Sequence, residues 1–312
     1  MRGTAATALA VAMGAGGATE AESEAQSRVV LIRRADVLGK QDKIRAETVQ
    51  SMLDEAIKAL LEENEASAAW RKLVKASDVV GIKSNVWWNM PTPKELEEAI
   101  RHRLLEAGVS EKSIDIEDRG VLDNPIFKKS TAMINVRPLR THHWSAVGTC
   151  LKNYIMFVPD PSNYHDEGCS PLGKIWHLPM VKGKTRLNIL SALTPQFYGR
   201  GAHYFDKRYV WPYKGLIVGT DPVAVDTVGA RLLQAKRVAF FGEDRTLDAT
   251  PVHIAVADKK YKLGVSDLSR IQLVTRCIAT SSITSRRRST SSASSPRRSA
   301  ARSVGWCSCT SC

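Results

Sequence analysis

Residues 215–233 read GLIVGTDPVAVDTVGARLL. The first five form an apolar run bounded by glycines, which is typical of a buried strand. Thr220, Asp221 and Pro222 follow, and Pro222 suits the first position of a helix whose N-cap is Asp221. Apolar residues then recur at the helical period as far as Leu233. The stretch therefore predicts a buried strand that leads directly into a helix.

The same alternation of strand and helix extends over residues 29–274. The predicted strands cover residues 29–32, 78–85, 113–117, 132–136 and 186–190, and the predicted helices cover residues 49–60 and 92–107. Such alternation indicates an α/β fold with a largely parallel sheet and helices on both faces. Residues 160–184 show no periodicity, so we expect them to form a long irregular surface loop.

The composition is that of a globular protein, with 43% hydrophobic and 25% charged residues. It excludes collagen-like, coiled-coil and wholly disordered chains. No apolar run approaches the roughly 18 residues of a membrane-spanning helix, so we expect no transmembrane segment. Residues 1–28 begin Met1-Arg2, continue with an uncharged Ala/Gly-rich run and end in an acidic stretch. This layout favours a twin-arginine-like export signal, although the paired arginines are absent, over a flexible cytoplasmic terminus.

The basic character of the chain lies mostly at its end. Of the net charge of +13, seven units come from arginines in residues 275–312, which contain no acidic residue. Seventeen of these 38 residues are Ser or Thr, so the segment has little to bury and is predicted to be a disordered tail. It is either an arginine- and serine-rich arm that binds phosphate groups or an unstructured appendage, such as one translated out of frame. We expect no nucleic-acid binding by the folded body.

Cysteine usage follows the same division. Four of the six cysteines lie in residues 275–312, which leaves Cys150 and Cys169 in the body. Two cysteines cannot form a disulfide framework, and their spacing leaves a single bridge between them open. The ending Cys307-Ser308-Cys309-Thr310-Ser311-Cys312 resembles a thiolate clip but lacks a second pair of ligands, so we predict no metal site there.

Candidate functional residues follow the predicted strands, because open α/β sheets bind ligands beyond the carboxyl ends of their strands. The candidates are cations, carboxamides, one imidazole and one carboxylate, a set that suits a small carboxylate or phosphate ligand. We predict ligand binding by Lys83, Asn85, Arg140, Lys152 and Asn153, with Asp221 and His142 as candidates for proton transfer. We also expect Lys83, Asn85, Lys152, Asn153 and Asp221 to share one cleft at the carboxyl edge of the sheet.

Each candidate also has a simpler interpretation. Asp221 is a natural N-cap, Lys83 at a strand end is usually a surface charge, and Asn153 suits a turn. His142 and His143 are adjacent, so at most one would point inward from an extended chain. Trp87-Trp88 suits either stacking on a ring or core packing. The chain has no GxGxxG, Walker, GxSxG or HExxH motif, and its histidines show no ligand spacing.

Four motifs in order resemble the domain-of-unknown-function 362 family (DUF362). They are VGIKSN at 80–85, NVRPLRTH at 135–142, LKNY at 151–154 and GTDPVAVD at 219–226. The resemblance covers roughly residues 29–274 and implies an α/β domain that is often exported and often joined to ferredoxin-type cysteines. This chain lacks a CxxCxxC run, so no iron–sulfur cluster is expected; any other cofactor is open. Arg140 stands where the family commonly has Lys, which keeps the charge but changes its geometry.

These observations favour a protein that binds or transforms a small anionic metabolite. The alternative is a non-catalytic partner module of an exported redox or assembly system. A third possibility, nucleic-acid binding through the basic tail, would be lost on removal of that tail. The sequence specifies neither substrate, reaction nor oligomeric state.

Overall fold

Eight strands form one mixed sheet in the computed structural model, which describes residues 26–278. The strands are β1 Ser27–Arg34, β2 Val80–Lys83, β3 Ile114–Glu117, β4 Ala132–His142, β5 Ala146–Gly148, β6 Thr185–Gln196, β7 Gly215–Gly219 and β8 Ile271–Ile278. The helices are α1 Ala46–Leu61, α2 Ala66–Leu73, α3 Lys94–Glu106, α4 Pro125–Lys129, α5 Cys150–Asn153, α6 Asp166–Cys169, α7 Pro222–Phe241 and α8 Val252–Lys259. Short 3₁₀ turns fill several of the connections.

The strand order is β3-β2-β4-β6-β7-β1-β8, with β5 paired to the far end of β4. Strands β3, β2, β4 and β6 are mutually parallel, and β1 and β8 run in the same direction. Strand β7 is antiparallel to both of its neighbours, β6 and β1, and β5 is antiparallel to β4. The sheet is therefore mostly parallel, and the predicted α/β class is confirmed.

Helices α1, α2 and α3 cover one face of the sheet. The predicted apolar stripe of α1, which includes Val49, Met52 and Leu53, is fully buried against strand residues such as Val30 and Ile32. Burial of each such side chain contributes about 1.5–3 kcal/mol to folding. This packing fixes the first half of the chain on the sheet.

The opposite face is covered by α5, α7, α8 and the segment that connects β5 to β6. The sequence predicted an irregular surface loop over residues 160–184, but part of this segment is core. It forms short helical turns, and Leu172, Ile175 and Trp176 are buried in the hydrophobic core between these helices and the sheet. The Trp176 ring stacks on Tyr154 with centroids 4.3 Å apart. Isolated apolar residues without a period gave no sign of this packing.

The last strand extends further than the sequence boundary at residue 274. Strand β8 runs to Ile278 and pairs with β1 from Ser27↔Ile271 to Arg34↔Ile278. The strand lies at the edge of the sheet. Its backbone pairs with β1 on one side, and its polar side chains are exposed. The rest of the predicted tail and nearly all of the predicted export segment lie outside the described residues. Within residues 26–278, no helix has the length and apolar character of a membrane span.

Candidate anion-binding cavity

A cavity of about 410 Å³ lies at the carboxyl edge of β2, β3 and β4. Its wall combines cationic, polar and aromatic side chains from at least six stretches of chain. The lining residues are Asn85, Trp87, Asp118, Arg119, Arg137, Arg140, His142, His143, Trp144, Lys152, Asn153, Ile155, Met156, Pro161, His165, Arg200, Ala202 and Tyr204. Five of the seven sequence-predicted site residues are therefore brought together here, namely Asn85, Arg140, His142, Lys152 and Asn153.

Strand β4 supplies three of the charged or titratable groups. It continues to His142, six residues beyond the predicted end at Val136, and its pairing with β6 is irregular between Pro138 and Arg140. Residues 137 and 140 would point to opposite faces of a regular strand, yet both guanidiniums line the cavity. Gly148 on β5 makes room for them, because a Cβ there would lie 3.0 Å from Arg137 Nη2.

The short helix α5 carries Lys152 and Asn153, and Asp226 of α7 holds its first turn. Asp226 accepts hydrogen bonds from Thr149 Oγ1 at 2.6 Å, the Cys150 amide at 2.8 Å and the Leu151 amide at 2.9 Å. Burial nevertheless raises the pKa of Asp226 to about 7, against the effect of these three hydrogen bonds. Asp226 thus links the position of Lys152 to helix α7.

Asn153 ties α5 to the sheet. Its Nδ2 lies 2.9 Å from Asn135 Oδ1, 3.1 Å from the Lys83 carbonyl and 3.2 Å from the Val136 carbonyl. Because this amino group has two hydrogens and three acceptors, it is committed to the protein. Asn85 donates weakly to Asn153 Oδ1 at 3.5 Å, and its own Oδ1 is buried with no hydrogen-bond partner. Asn85 is therefore the carboxamide with a spare acceptor at the cavity.

Three buried cations dominate the electrostatics of the wall. Arg137, Arg140 and Lys152 are each no more than 3% exposed. Among the described residues, no carboxylate comes within 4.0 Å of any of them. Arg140 Nη1 donates to the Met90 carbonyl at 2.8 Å, while its Nε and Nη2 are buried without partners, as is Arg137 Nε. The cavity wall thus holds positive charge and unused donors.

Burial affects the pKa of each of these cations. It lowers the pKa of Arg137 to about 10 and that of Lys152 to about 7, and it lowers the pKa of Arg140 well below its ordinary value. The neighbouring positive charge of Arg137 adds to the shifts at Arg140 and Lys152. The protein itself therefore disfavours the charge that it collects here.

Aromatic rings form the outer wall of the cavity. His142 stacks on His143 with centroids 4.8 Å apart, and Trp144 lies 4.1 Å from both His143 and His165. Burial lowers the pKa of His142 well below its ordinary value and that of His165 to about 4, with Lys152 contributing to both shifts. On the other side, the Arg119 guanidinium lies 4.9 Å from the Trp87 ring. The His142 and His165 imidazoles are therefore neutral near pH 7.

One family model matches the segment of the chain that supplies most of this wall. Residues 112–231 match the family described as domain of unknown function (DUF362). The chain carries a DUF362 domain. No curated protein and no solved structure matches the chain. The matched DUF362 segment contains Arg137, Arg140, His142 and Lys152 together with Asp226, whereas Asn85 precedes it.

One of the two lysines predicted for the site does not line the cavity of the DUF362 domain. Lys83 is fully buried, and its Nζ lies 2.5 Å from Asp118 Oδ1 and 2.7 Å from the Ser84 carbonyl. Burial lowers the pKa of Lys83 to about 8, although Asp118 opposes the shift. Burial also opposes ionisation of Asp118, but Lys83 and the Val86 amide together lower the pKa of that carboxyl group. Lys83 supports the wall through Asp118.

Asp221 also lies away from the cavity, and the expected shared cleft is wrong for this residue. It follows β7, whose reversed direction places its carboxyl end at the opposite edge of the sheet from those of β4 and β6. Asp221 accepts from the amides of Val223 and Ala224, as an N-cap does, and from the Val265 amide. The predicted N-cap role is confirmed, and the proton-transfer candidate is displaced from the site.

Sequence reasoning missed several residues of the DUF362 cavity. Arg137 directly follows the predicted strand at 132–136 but is not among the predicted ligand-binding residues. Asp118 and Arg119 directly follow the predicted strand at 113–117, so the rule that selected Asn85 would also have found them. Trp87 lines the cavity, while Trp88 is 77% exposed and does not pack in the core. Arg200 and Tyr204 gave no pattern that could have placed them.

No further centre is built by Cys150, Cys169 or the described histidines. Cys150 and Cys169 are buried free thiols, so they do not form the single bridge left open by their spacing. Within residues 26–278, no group of three or more His, Cys, Asp or Glu side chains is arranged to hold a metal ion. The polar chemistry available at the cavity is that of cations, imidazoles and amides, together with the Asp118 carboxylate.

Proposed function

We propose that the DUF362 domain binds, and by extension transforms, a small carboxylate or phosphate anion in this cavity. The observation that carries the proposal is the group of three buried cations, Arg137, Arg140 and Lys152, with no carboxylate within 4.0 Å among the described residues. Buried charges in proteins are normally paired, because removing a single charge from water costs several kcal/mol. An anionic ligand would offset that cost.

The groups around the cations support the same ligand class. Arginine donates two parallel hydrogen bonds to a carboxylate or phosphate, and the unused Nε and Nη2 of Arg140 offer such a pair. The other charged groups of the wall are already engaged. Asp118 is held by Lys83, Arg200 pairs with Asp248 at 2.6 Å, and Arg119 lies over Trp87. The positive charge of the wall that has no carboxylate in contact therefore belongs to Arg137, Arg140 and Lys152.

His142 is the group on the wall that we propose for proton transfer. The Trp144 amide donates to His142 Nδ1 at 3.2 Å, which leaves the proton of the neutral ring on Nε2. A neutral imidazole can donate this proton or exchange it with a bound ligand. This role requires a ligand that places an oxygen within hydrogen-bond reach of the ring.

Calorimetric titration with inorganic phosphate and with oxalate tests the binding proposal. We expect the wild-type protein to bind at least one of these anions and Arg137→Met to weaken that binding at least tenfold. The free energy of unfolding should be unchanged or higher in the variant, because the change removes a buried charge that no described carboxylate contacts. Lys128→Met is the matched control, because it removes an exposed cation that lies outside the cavity. Unchanged anion affinity in Arg137→Met would contradict the proposal.

We also propose export, on the basis of the sequence before Arg28. Amino-terminal sequencing of protein recovered outside the cytoplasm should give a start between Ala18 and Arg28. Recovery only of cytoplasmic protein that retains its first residues would contradict this.

A further inference from the structure

The two buried lysines near the cavity differ in what surrounds their amines. Lys83 has a carboxylate and a carbonyl as partners and is absent from the cavity wall. Lys152 lines the cavity, exposes only 2% of its surface, and has no hydrogen bond or ion pair with any of the described residues. An amine that is sheltered from bulk water and uncommitted to the protein is available to a ligand.

We propose that Lys152 condenses with the carbonyl group of a small 2-oxo carboxylate, whose carboxylate is held by Arg137 and Arg140. This inference rests on the proposed anion binding and names the class of anion. A carboxylate next to a ketone presents an anion and an electrophilic carbon side by side, which matches a wall that has guanidiniums and an amine together. The cavity volume of about 410 Å³ and its aromatic lining suit an apolar or aromatic substituent on the oxo acid.

The proposed step is a balanced condensation. The Lys152 nitrogen attacks the ketone carbon, a C–N bond forms, and the carbonyl oxygen takes a proton to give a carbinolamine. Loss of the hydroxyl group as water then gives the imine, and both hydrogens of that water come from the neutral amine. The step needs no oxidant or reductant. The protons of the amine pass to the departing hydroxyl group, and His142 on the same wall can donate a hydrogen bond from Nε2 to that oxygen.

The electrostatic surroundings favour the neutral, nucleophilic amine. Burial lowers the pKa of Lys152 to about 7, Arg137 of β4 lowers it further, and Cys169 of α6 opposes the shift. The imidazoles that sense the Lys152 charge, His142, His165 and His253 of α8, all have lowered pKa values and add no anion. The lowered pKa therefore increases the neutral fraction of the Lys152 amine near pH 7 before any ligand binds.

Reductive trapping tests the proposal on the full-length protein. We would incubate it with pyruvate or phenylpyruvate, reduce with sodium cyanoborohydride, and locate the adduct by intact mass and peptide mapping. The expected result is one reduced imine per chain, on Lys152, which excess oxalate suppresses. Lys152→Arg keeps the positive charge and should give no adduct. Lys128→Met should be labelled as the wild type is.

The outcomes separate this proposal from the one on which it rests. Oxalate binding without any adduct on Lys152 would overturn the imine and leave the anion site standing. Labelling spread evenly over surface lysines, or an adduct that persists unchanged with excess oxalate, would also overturn it. Failure of both oxalate and phosphate to bind would instead overturn the anion site.

Discussion

Lys83 Nζ lies 2.5 Å from Asp118 Oδ1, and the two side chains are 0% and 4% exposed. The pair lies directly behind the cavity, since Asp118 also lines the wall and holds the Val86 amide at 2.9 Å. The ion pair therefore fixes the turns that follow β2 and β3. A residue expected to bind the ligand instead holds part of the wall in place.

Replacement of Lys83 by Met should destabilise the protein by about 3–5 kcal/mol, because it leaves Asp118 buried and unpaired. Denaturant unfolding would measure this loss. Lys128→Met is the control, since the Lys128–Asp123 pair is exposed and should contribute less than about 1 kcal/mol. Adding Asp118→Asn to Lys83→Met should recover part of the loss. Equal stability of Lys83→Met and the wild type would show that the pair does not hold the wall.

Asp226 should make the stability of the protein depend on pH. Its pKa rises from 3.8 to about 7 on folding, so folding favours the protonated form. The resulting stabilisation is complete below about pH 4 and is lost as the pH rises to about 7, an effect of at most about 4 kcal/mol. Asp226→Asn cannot ionise and should lose less stability over this range than the wild type. Parallel pH profiles for the two proteins would contradict this.

Anion affinity should depend on the charge of Lys152. The pKa of Lys152 is lowered to about 7, so its positive charge is present below pH 7 and lost above it. We therefore expect oxalate affinity to fall between pH 6 and pH 8, a range in which oxalate itself does not titrate. Lys152→Arg keeps its charge throughout and should flatten the profile. Calorimetry at three pH values would decide, and an equally steep profile in the variant would exclude Lys152 as the source.

Two glycines with positive φ should differ in how they tolerate alanine. A Cβ at Gly201 would lie 2.3 Å from the Thr141 carbonyl oxygen, whereas one at Gly183 would have no atom within 4 Å. Both substitutions carry the same backbone strain, of order 1 kcal/mol, because φ is +87° and +72°. Gly201→Ala should therefore lower the melting temperature clearly more than Gly183→Ala. Similar values would show that the chain beside β4 can move away.

The sequence predicted the elements whose apolar residues are periodic. The stripe of α1 and the short strands β2, β3 and β7 are examples, because burial on one face or on both imposes a local pattern. The extension of β4 past Pro138 was missed, since a proline among charged residues is typical of a loop. Here the burial of Arg137 and Arg140 depends on a cavity built by distant segments.

The direction of a strand leaves no such local pattern. Strand β7 has the same apolar run that a parallel strand would have, and only its pairing with β6 and β1 shows that it is reversed. This is why Asp221 was expected in the cleft. The start of α3 also differs from the predicted helix over residues 92–107: Thr92 Oγ1 accepts from the Asn85 amide, and the helix begins at Lys94. Pairing between segments distant in sequence causes the first difference, and a contact seven residues away along the chain causes the second.

The position of β1 determines which edge of the sheet faces a surface to which the protein is attached through its amino-terminal side. Strand β1 runs in the same direction as β4 and β6, so Ser27 lies at the edge of the sheet opposite the cavity, where its hydroxyl group donates to Asp221. A tether joined ahead of Ser27, whether to a bead, a sensor surface or a fusion partner, would leave from that edge. The cavity, at the opposite edge, would then face the bulk solution and the small molecules that diffuse in it.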